Sequence, residues 1–322
     1  MKTPYCCWII LLGMLHFSCQ PKDVPTNSPI APTIELALQI DAQLGEGAFW
    51  NIENQTFYWV DIEGKRLHLF DPITGKNRSL QTPTHIGTVV PMNDNVAMVG
   101  LVDGAYLMNT ETGNLKPYAK IDDNVGATRL NDGKCDPAGR LWVGSMHWET
   151  SEPVGSLYRV DGNEQATKIL DSITVSNGIV WSKDRKIMYY IDTPTKKIHA
   201  FDYDMLSGEI KNERIAVVIA DSLGLPDGMT IDADDKLWVG MWNGNAVCRF
   251  DPTSGQLMEQ VEVPAHNVTS CAFGGPALDT LYITTASIDM TEEEKAQFPL
   301  AGSVFKYVPG VKGVPSDLFQ LR

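Results

Sequence analysis

Short runs of alternating apolar and polar residues recur along almost the whole chain, and most are rich in aromatic and β-branched side chains. One run covers residues 57–61, and it is followed by a turn at Glu63-Gly64 and a second run at 67–72. Alternation of this kind that ends at a turn is typical of a β-hairpin. Six such hairpins can be marked, so the pattern predicts an all-β protein.

The hairpins are evenly spaced along the chain. One bulky residue marks each of them: Trp59, Met98, Trp142, Tyr190, Trp238 and Tyr282. Consecutive markers are separated by 39, 44, 48, 48 and 44 residues. A period in the forties, with about four short strands in each unit, is typical of a β-propeller. We therefore predict a single six-bladed β-propeller over residues 34–322, with a β-sandwich or two unrelated β domains as the alternative.

The first residues do not follow this pattern. Lys2 precedes an apolar run at 7–15 that is too short to span a bilayer, which predicts a signal peptide over residues 1–18. Ser18-Cys19 resembles a bacterial lipoprotein cleavage site, so we expect Cys19 to carry a lipid and residues 19–33 to form a flexible tether. We expect an exported protein, periplasmic or held at a membrane only by this anchor, with free secretion as the alternative.

The charge of the chain limits its partners. Its 26 basic and 40 acidic residues give a formal net charge of −14. A nucleic-acid-binding protein needs basic patches that displace counterions, so we expect no nucleic-acid partner. The excess of acid does not by itself identify a functional face, because it also serves solubility. We expect a small-molecule ligand and a monomer or weak dimer.

Four of the units place a polar residue before a glycine at the start of the unit. The innermost strands of a propeller line one channel, so these positions point to one axial region. They are Glu46, Asp132, Asn177 and Asp227. Each pair alone is also a common turn former. In register, the carboxylates would repel one another unless a cation lay between them, and oxygen ligands suit a hard divalent ion. The pattern therefore predicts a central metal site.

The third unit carries further polar residues beside Asp132. Arg129 and Asn131 alternate around Leu130 on a predicted strand, so both side chains are expected to face the channel mouth. A guanidinium and an amide next to a metal are suited to binding carbonyl or hydroxyl oxygens. We therefore predict that Arg129 and Asn131 bind a polar substrate.

Taken together, these motifs resemble those of the gluconolactonase, senescence-marker-protein and regucalcin family, over roughly residues 34–313. The resemblance rests on four segments: Gly45-Glu46-Gly47, the run from Arg129 to Arg140, Ser176-Asn177-Gly178 and Pro226-Asp227-Gly228-Met229. It implies a six-bladed propeller in which Glu46, Asn177 and Asp227 bind one divalent metal ion. We expect Ca²⁺ first, with Mg²⁺, Mn²⁺ or Zn²⁺ as alternatives.

The resemblance also implies roles for the remaining site residues. Arg129, Asn131 and Glu149 would contact a sugar lactone, and Asp132 would hold Arg129 or Asn131 in place. The implied reaction is hydrolysis of a gluconolactone-like aldonolactone to the aldonic acid, with the metal as Lewis acid and Asp227 as the base that takes the proton of water. His147 and Trp148 are bulkier than the family pattern, which leaves the substrate open. Two alternatives are an esterase or phosphotriesterase on the same scaffold and a non-enzymatic calcium-binding protein.

Overall fold

A computed structural model describes residues 1, 3, 4, 33–93, 95–121, 124 and 126–321. The chain divides into two compact units, Met1–Ala31 and Pro32–Arg322. The signal peptide, Cys19 and the tether predicted from the sequence lie almost entirely outside the described residues, and they stay predictions. The strands in the described part of the second unit form six four-stranded antiparallel sheets, which confirms the predicted six-bladed propeller.

Each of the first three blades uses four consecutive strands. A short strand, β1 (Glu35–Leu38), precedes them. Blade one contains β2 (Gly45–Asn51), β3 (Thr56–Asp61), β4 (Arg66–Asp71) and β5 (Lys76–Gln81). Blade two contains β6 (Ile86–Asn93), β7 (Val96–Leu101), β8 (Gly104–Asn109) and β9 (Leu115–Lys120). Blade three contains β10 (Thr128–Cys135), β11 (Leu141–His147), β12 (Gly155–Val160) and β13 (Ala166–Ile173).

The next two blades repeat this order, and the last blade departs from it. Blade four contains β14 (Ser176–Trp181), β15 (Ile187–Asp192), β16 (Lys197–Asp204) and β17 (Glu209–Val218). Blade five contains β18 (Leu225–Ile231), β19 (Leu237–Trp242), β20 (Ala246–Asp251) and β21 (Gln256–Glu262). Blade six contains β22 (Asn267–Gly274), β23 (Thr280–Ala286) and β24 (Val304–Tyr307), together with β1.

Blade six closes the ring by joining the two ends of the chain. Its strand order is β1-β24-β23-β22, and β1 pairs antiparallel with β24 through Glu35 with Lys306 and Leu36 with Phe305. The first strand of blade one also packs against the first strand of blade six. The outer strand of the last blade therefore comes from the start of the propeller sequence.

The hydrophobic core lies within and between neighbouring blades. The marker residues Trp59, Trp142 and Trp238 are fully buried. In blade five a buried aspartate fixes the turn before the marker: Asp232 accepts hydrogen bonds from the backbone N–H groups of Asp234 (2.9 Å) and Lys236 (2.9 Å) and from Trp238 Nε1 (3.0 Å). Asp136 makes the equivalent bonds in blade three, to the N–H groups of residues 138 and 140 and to the indole of its marker.

Helical structure in the described residues is confined to short segments. Thr193–Thr195 and Asp221–Leu223 form 3-10 turns, and α1 (Glu292–Gln297) lies between β23 and β24. The first turn of α1 is closed by a capping box of Thr291 and Glu294. Within the described residues, no helix has both the length and the apolar character needed to cross a membrane.

Candidate active site

The innermost strands of all six blades have an irregular register near the end where they enter the channel. The shift falls between Glu46 and Phe49, Ile86 and Thr88, Leu130 and Gly133, Asn177 and Ile179, Pro226 and Met229, and Val268 and Cys271. A β-bulge places two residues opposite one and turns a side chain away from the ladder. In four blades the polar residue of the predicted site lies within this irregular segment, and so it can point toward the axis.

The glycine after the polar residue makes the close approach of the blades possible. Gly47 has a positive φ of 60°, which non-glycine residues rarely adopt. At Gly178 an added Cβ would lie 2.8 Å from the carbonyl oxygen of Asp227 and 2.7 Å from the side chain of Met229. The glycines therefore allow blades four and five to bring Asn177 and Asp227 together.

Three carboxyl groups are buried in this region. Glu46, Asp132 and Asp227 are 5%, 6% and 5% exposed. Burial raises the pKa of Glu46 to about 8, and the negative charge of Asp132 adds to that effect. Burial and the charge of Glu46 likewise raise the pKa of Asp227 well above its usual value, and a hydrogen bond joins these two carboxyl groups. The raised pKa values indicate that too little positive charge lies nearby to stabilise the ionised forms of these carboxyl groups.

A chain of hydrogen bonds connects blades three, four and five beside the carboxyl groups. Arg129 Nη1 donates to Asn131 Oδ1 (2.7 Å), and Asn131 Nδ2 donates to Asn177 Oδ1 (3.1 Å). Asn177 Nδ2 donates to Thr193 Oγ1 (2.8 Å), whose hydroxyl donates to the carbonyl oxygen of Pro226 (2.8 Å). This chain ends one residue before Asp227, so it fixes the positions of the groups around the cluster.

Two basic residues lie close to the carboxyl groups without neutralising all of them. Burial lowers the pKa of the Arg129 guanidinium to about 10, an effect that the charges of Glu63, Glu46 and Asp227 oppose. Lys134 Nζ donates to the carbonyl oxygen of Met229 (2.8 Å), and burial lowers its pKa against the opposing charge of Asp132. Lys134 therefore connects β10 to β18, the strand that carries Asp227.

A cavity of about 530 Å³ opens above the cluster, which is a volume typical of small-molecule sites. Five of the predicted residues line it: Glu46, Arg129, Asn131, Asn177 and Asp227. Asp132 is buried, is absent from the lining and accepts a hydrogen bond from the backbone N–H of Gly133 (2.8 Å). Glu149 is exposed and is also absent from the lining, whereas its neighbours Trp148 and Thr150 belong to it. The substrate role of Glu149 and the positioning role of Asp132 stay predictions.

The donor set fits a divalent cation by its chemistry. Two buried carboxyl groups with raised pKa values and one amide oxygen lie together, and a cation between them would favour their ionised forms. In the part of the chain that the structure describes, no group of three or more histidine, cysteine, aspartate or glutamate side chains is arranged to hold a metal. The candidate ligands are accordingly Glu46, Asp227 and the Asn177 amide.

Several residues of the site were not predicted from the sequence. Thr193 is buried, lines the cavity and orients Asn177, but it lies outside the repeated motifs. Trp148 lines the cavity with its ring 5.9 Å from the Arg129 guanidinium and 5.0 Å from the His85 ring. In the sequence, only the large size of the Trp148 side chain indicated that this residue could affect the site. His85 in turn lies 3.2 Å from Glu63, another lining residue.

Comparison with known proteins gives consistent results over most of the chain. The family described as SMP-30/Gluconolactonase/LRE-like region matches residues 44–287. The protein YvrE of Bacillus subtilis (strain 168), whose name describes it as a candidate sugar lactone lactonase, is 41% identical over 264 residues, covering 82% of this chain and 90% of that protein. Regucalcin of Xenopus laevis is 35% identical over 292 residues, covering 89% and 98%. The crystal structure of a calcium-binding protein, regucalcin, from Agrobacterium tumefaciens aligns with a TM-score of 0.85 at 27% identity, covering 89% of this chain and 97% of that one.

Proposed function

The chain belongs to the SMP-30/gluconolactonase/LRE-like family, as its motifs predicted, and from this premise we propose that it hydrolyses a sugar-derived lactone with the help of one divalent metal ion. The observation that supports this proposal best is the buried group of Glu46, Asn177 and Asp227 at the floor of a cavity. Arg129 and Asn131 lie beside it and line the same cavity, where the Arg129 guanidinium can donate to oxygen atoms of a substrate. The name of the Bacillus relative supports the lactone, and that of the Agrobacterium protein supports calcium.

In the proposed reaction, water adds to the lactone carbonyl carbon and the bond from that carbon to the ring oxygen breaks. Asp227 accepts a proton from the water and returns it to the ring oxygen, which leaves as a hydroxyl group. The new carboxylic acid ionises and releases one proton. When bound, a divalent ion would supply Lewis-acid stabilisation of the negative charge on the carbonyl oxygen. Arg129 and Asn131 orient the substrate hydroxyls near that carbon.

The proposal is tested by lactone hydrolysis and by metal binding, measured separately. Acid release from gluconolactone, xylonolactone and galactonolactone is followed after chelator treatment and after Ca²⁺, Mg²⁺, Mn²⁺ or Zn²⁺ is returned. We expect activity to disappear with the chelator and to return with at least one ion. Glu46→Ala and Asp227→Ala should each lower kcat/KM by at least about 100-fold. Glu293→Gln, which changes an exposed acid on α1, should leave kcat/KM unchanged.

Calorimetric titration of the same variants with Ca²⁺ gives a result that does not depend on turnover. Loss of a ligand should weaken binding by more than the roughly 10- to 100-fold that follows loss of an outer partner. Full activity in both alanine variants would contradict the mechanism. Tight calcium binding with no hydrolysis of any lactone would favour the non-enzymatic alternative. Turnover of aryl esters or phosphotriesters alone would favour the other hydrolase.

We also propose that the protein is exported and anchored through Cys19. The support is the short apolar run that precedes Ser18-Cys19 and the proline-rich residues that follow it. The test is incorporation of labelled palmitate in a bacterial host that processes lipoproteins. Labelling should disappear in Cys19→Ala, and equal labelling of both proteins would contradict the proposal.

A further inference from the structure

The buried lining of the cavity is mainly polar, with Ile62, Met146 and Val175 as apolar members, and its more exposed lining is mainly apolar. The floor residues Glu46, Arg129, Asn131, Asn177 and Asp227 are only 4% to 6% exposed. The partly or fully exposed lining residues are closer to solvent, and six of them are apolar. We call these six the apolar collar: Leu44, Trp148, Pro194, Leu225, Trp242 and Ile288.

Five blades contribute to the apolar collar, and backbone pairing brings its members together. Leu225 pairs directly with Trp242 across β18 and β19. Leu44 bridges to Ala286, and the N–H of Ile288 donates to the carbonyl oxygen of Gln43 (2.9 Å), so Leu44 and Ile288 lie on neighbouring segments of blades one and six. The collar therefore belongs to the framework of the ring rather than to one loop.

Trp148 is held over the floor by contacts on several sides. Its backbone N–H donates to the carbonyl oxygen of Ala127 (3.1 Å). Its ring lies 5.9 Å from the Arg129 guanidinium, at a separation where a cation–π interaction operates. The His85 ring contacts it edge-on at 5.0 Å. A side chain placed in this way presents an aromatic surface directly above the group that binds substrate oxygens.

Four further polar side chains line the cavity outside the floor residues, and two of them are already hydrogen-bonded. Glu63 pairs with His85 (3.2 Å), and the Thr193 hydroxyl already accepts from Asn177 and donates to the Pro226 carbonyl oxygen. The other two, Thr150 and Asp289, are exposed to solvent. A substrate hydroxyl against one of the six apolar side chains would lose water without gaining a hydrogen-bond partner, whereas a methyl group there would gain from burial.

We infer that the natural substrate is a lactone that is hydroxylated near its carbonyl and apolar at its far end, as in a 6-deoxyaldonolactone. This inference rests on the proposed lactone hydrolysis, because that reaction places the carbonyl at the floor and directs the opposite end of the molecule to the collar. The chemistry is unchanged: water adds, the ring ester bond breaks, and a carboxylate, a hydroxyl and a proton are formed.

Two pairs of lactones test the inference, since the members of each pair differ only in a methyl or hydroxymethyl group. L-fucono-1,4-lactone is compared with L-galactono-1,4-lactone, and L-rhamnono-1,4-lactone with L-mannono-1,4-lactone. We expect kcat/KM to be about tenfold or more higher for the deoxy member of at least one pair, which is the range of discrimination that one such group provides in an apolar site. Equal values in both pairs, or a preference for the hydroxymethyl members, would overturn the inference while leaving the proposed lactonase intact. Failure to hydrolyse any lactone would instead overturn the proposed function.

Variants of Trp148 separate specificity from general damage to the site. In Trp148→Ala the deoxy-to-hydroxymethyl ratio should fall to within about threefold of one, and in Trp148→Phe most of the ratio should remain. Ile73→Ala, which removes an exposed apolar side chain outside the cavity, should retain the wild-type ratio. An equal loss of kcat/KM for both members in Trp148→Ala, with the ratio unchanged, would show that the collar does not select the substrate.

Discussion

The amide of Asn177 is oriented by a partner on each side. Its Oδ1 accepts from Asn131 and its Nδ2 donates to Thr193, so the orientation of the amide in the cavity lining is fixed. The Ser-Asn-Gly motif was sufficient to predict Asn177 as a site residue. Thr193 could not be predicted in the same way, because its role arises from a contact between blades four and five and not from a repeated position.

The position of Glu149 relative to the cavity could not be predicted from the sequence. Its role was implied by the family resemblance, and the strand that precedes it, β11, ends at His147. Beyond that strand the chain enters a loop, where the spacing of residues no longer determines which side chain faces the cavity. In the structure, Trp148 and Thr150 line the cavity and Glu149 is exposed.

His68 shows how burial of a titratable side chain couples stability to pH. It stacks on Trp59 with ring centroids 4.0 Å apart, and its Nδ1 contacts Asn77 Nδ2 (3.0 Å) and Ser79 Oγ (2.9 Å). Burial lowers its pKa from 6.5 to about 4. Because the unfolded chain takes up the proton first, the free energy of unfolding is highest above pH 6.5. It should decrease by about 3 kcal/mol as the pH falls to 4.

His68→Gln should remove this dependence and leave a flatter profile between pH 6.5 and 4. The measurement is urea denaturation across that range, with chelator present throughout. His199→Gln is the matched control. His199 lies opposite the marker Tyr190 on the neighbouring strand of blade four, as His68 lies opposite Trp59 in blade one. If the free energy of unfolding of His68→Gln depends on pH as steeply as that of the wild type, burial of His68 is not the cause of this dependence.

At the scale of the element, the bulge and the polar residue are separate features. Blades two and six have the same irregular register in their innermost strands, although they lack the polar residue followed by glycine. The bulge therefore belongs to the general architecture of the blade, and the polar residue adds the chemistry. The repeat could be predicted because each blade renews its hairpin pattern. The strand β1 could not, since Glu35–Leu38 is too short to stand out and its partner lies at the other end of the chain.

The turns that precede the marker strands differ in how firmly they are fixed. Asp232 is fully buried and also pairs with Arg249 (2.7 Å). Asp232→Ala therefore leaves an indole N–H and two backbone N–H groups without their acceptor and removes the closer of the two carboxylate partners of the guanidinium. We expect a loss of about 3–5 kcal/mol in the free energy of unfolding. Chemical denaturation measures this loss.

Asn51→Ala is the matched comparison in blade one. Asn51 accepts a hydrogen bond from the N–H of Glu53 (2.9 Å), and the indole nitrogen of Trp59 in that blade has no hydrogen-bond partner among the described residues. Asn51→Ala should therefore lower the free energy of unfolding by only about 1 kcal/mol. Equal effects of the two substitutions would mean that the contacts of Asp232 with the indole and the guanidinium add nothing to the turn.

At the scale of the whole molecule, the closure of the ring determines which part of the N-terminal sequence matters for stability. A chain beginning at residue 34 retains β1, whereas one beginning at residue 40 loses the partly buried Ile34, Ala37 and Leu38 that pack on the core of blade six. The shorter chain should lose about 3 kcal/mol, and its Tm should fall by roughly 5–10 °C. Thermal unfolding of the two chains measures the difference, and equal Tm values would show that β1 is not needed to close the ring.

The same closure has a consequence for biosynthesis. Ile40 and Ser303, which hydrogen-bond across the closing blade, are 263 residues apart. At about 5–20 residues per second, the ribosome needs roughly 15 to 50 s to produce the second partner after the first. During that interval Trp50, which stacks on Tyr282 in the finished ring, has no partner from blade six. The nascent chain therefore carries an unfinished aromatic surface at least until blade six is made, and a chaperone that keeps it soluble before the proposed export is most needed in that period.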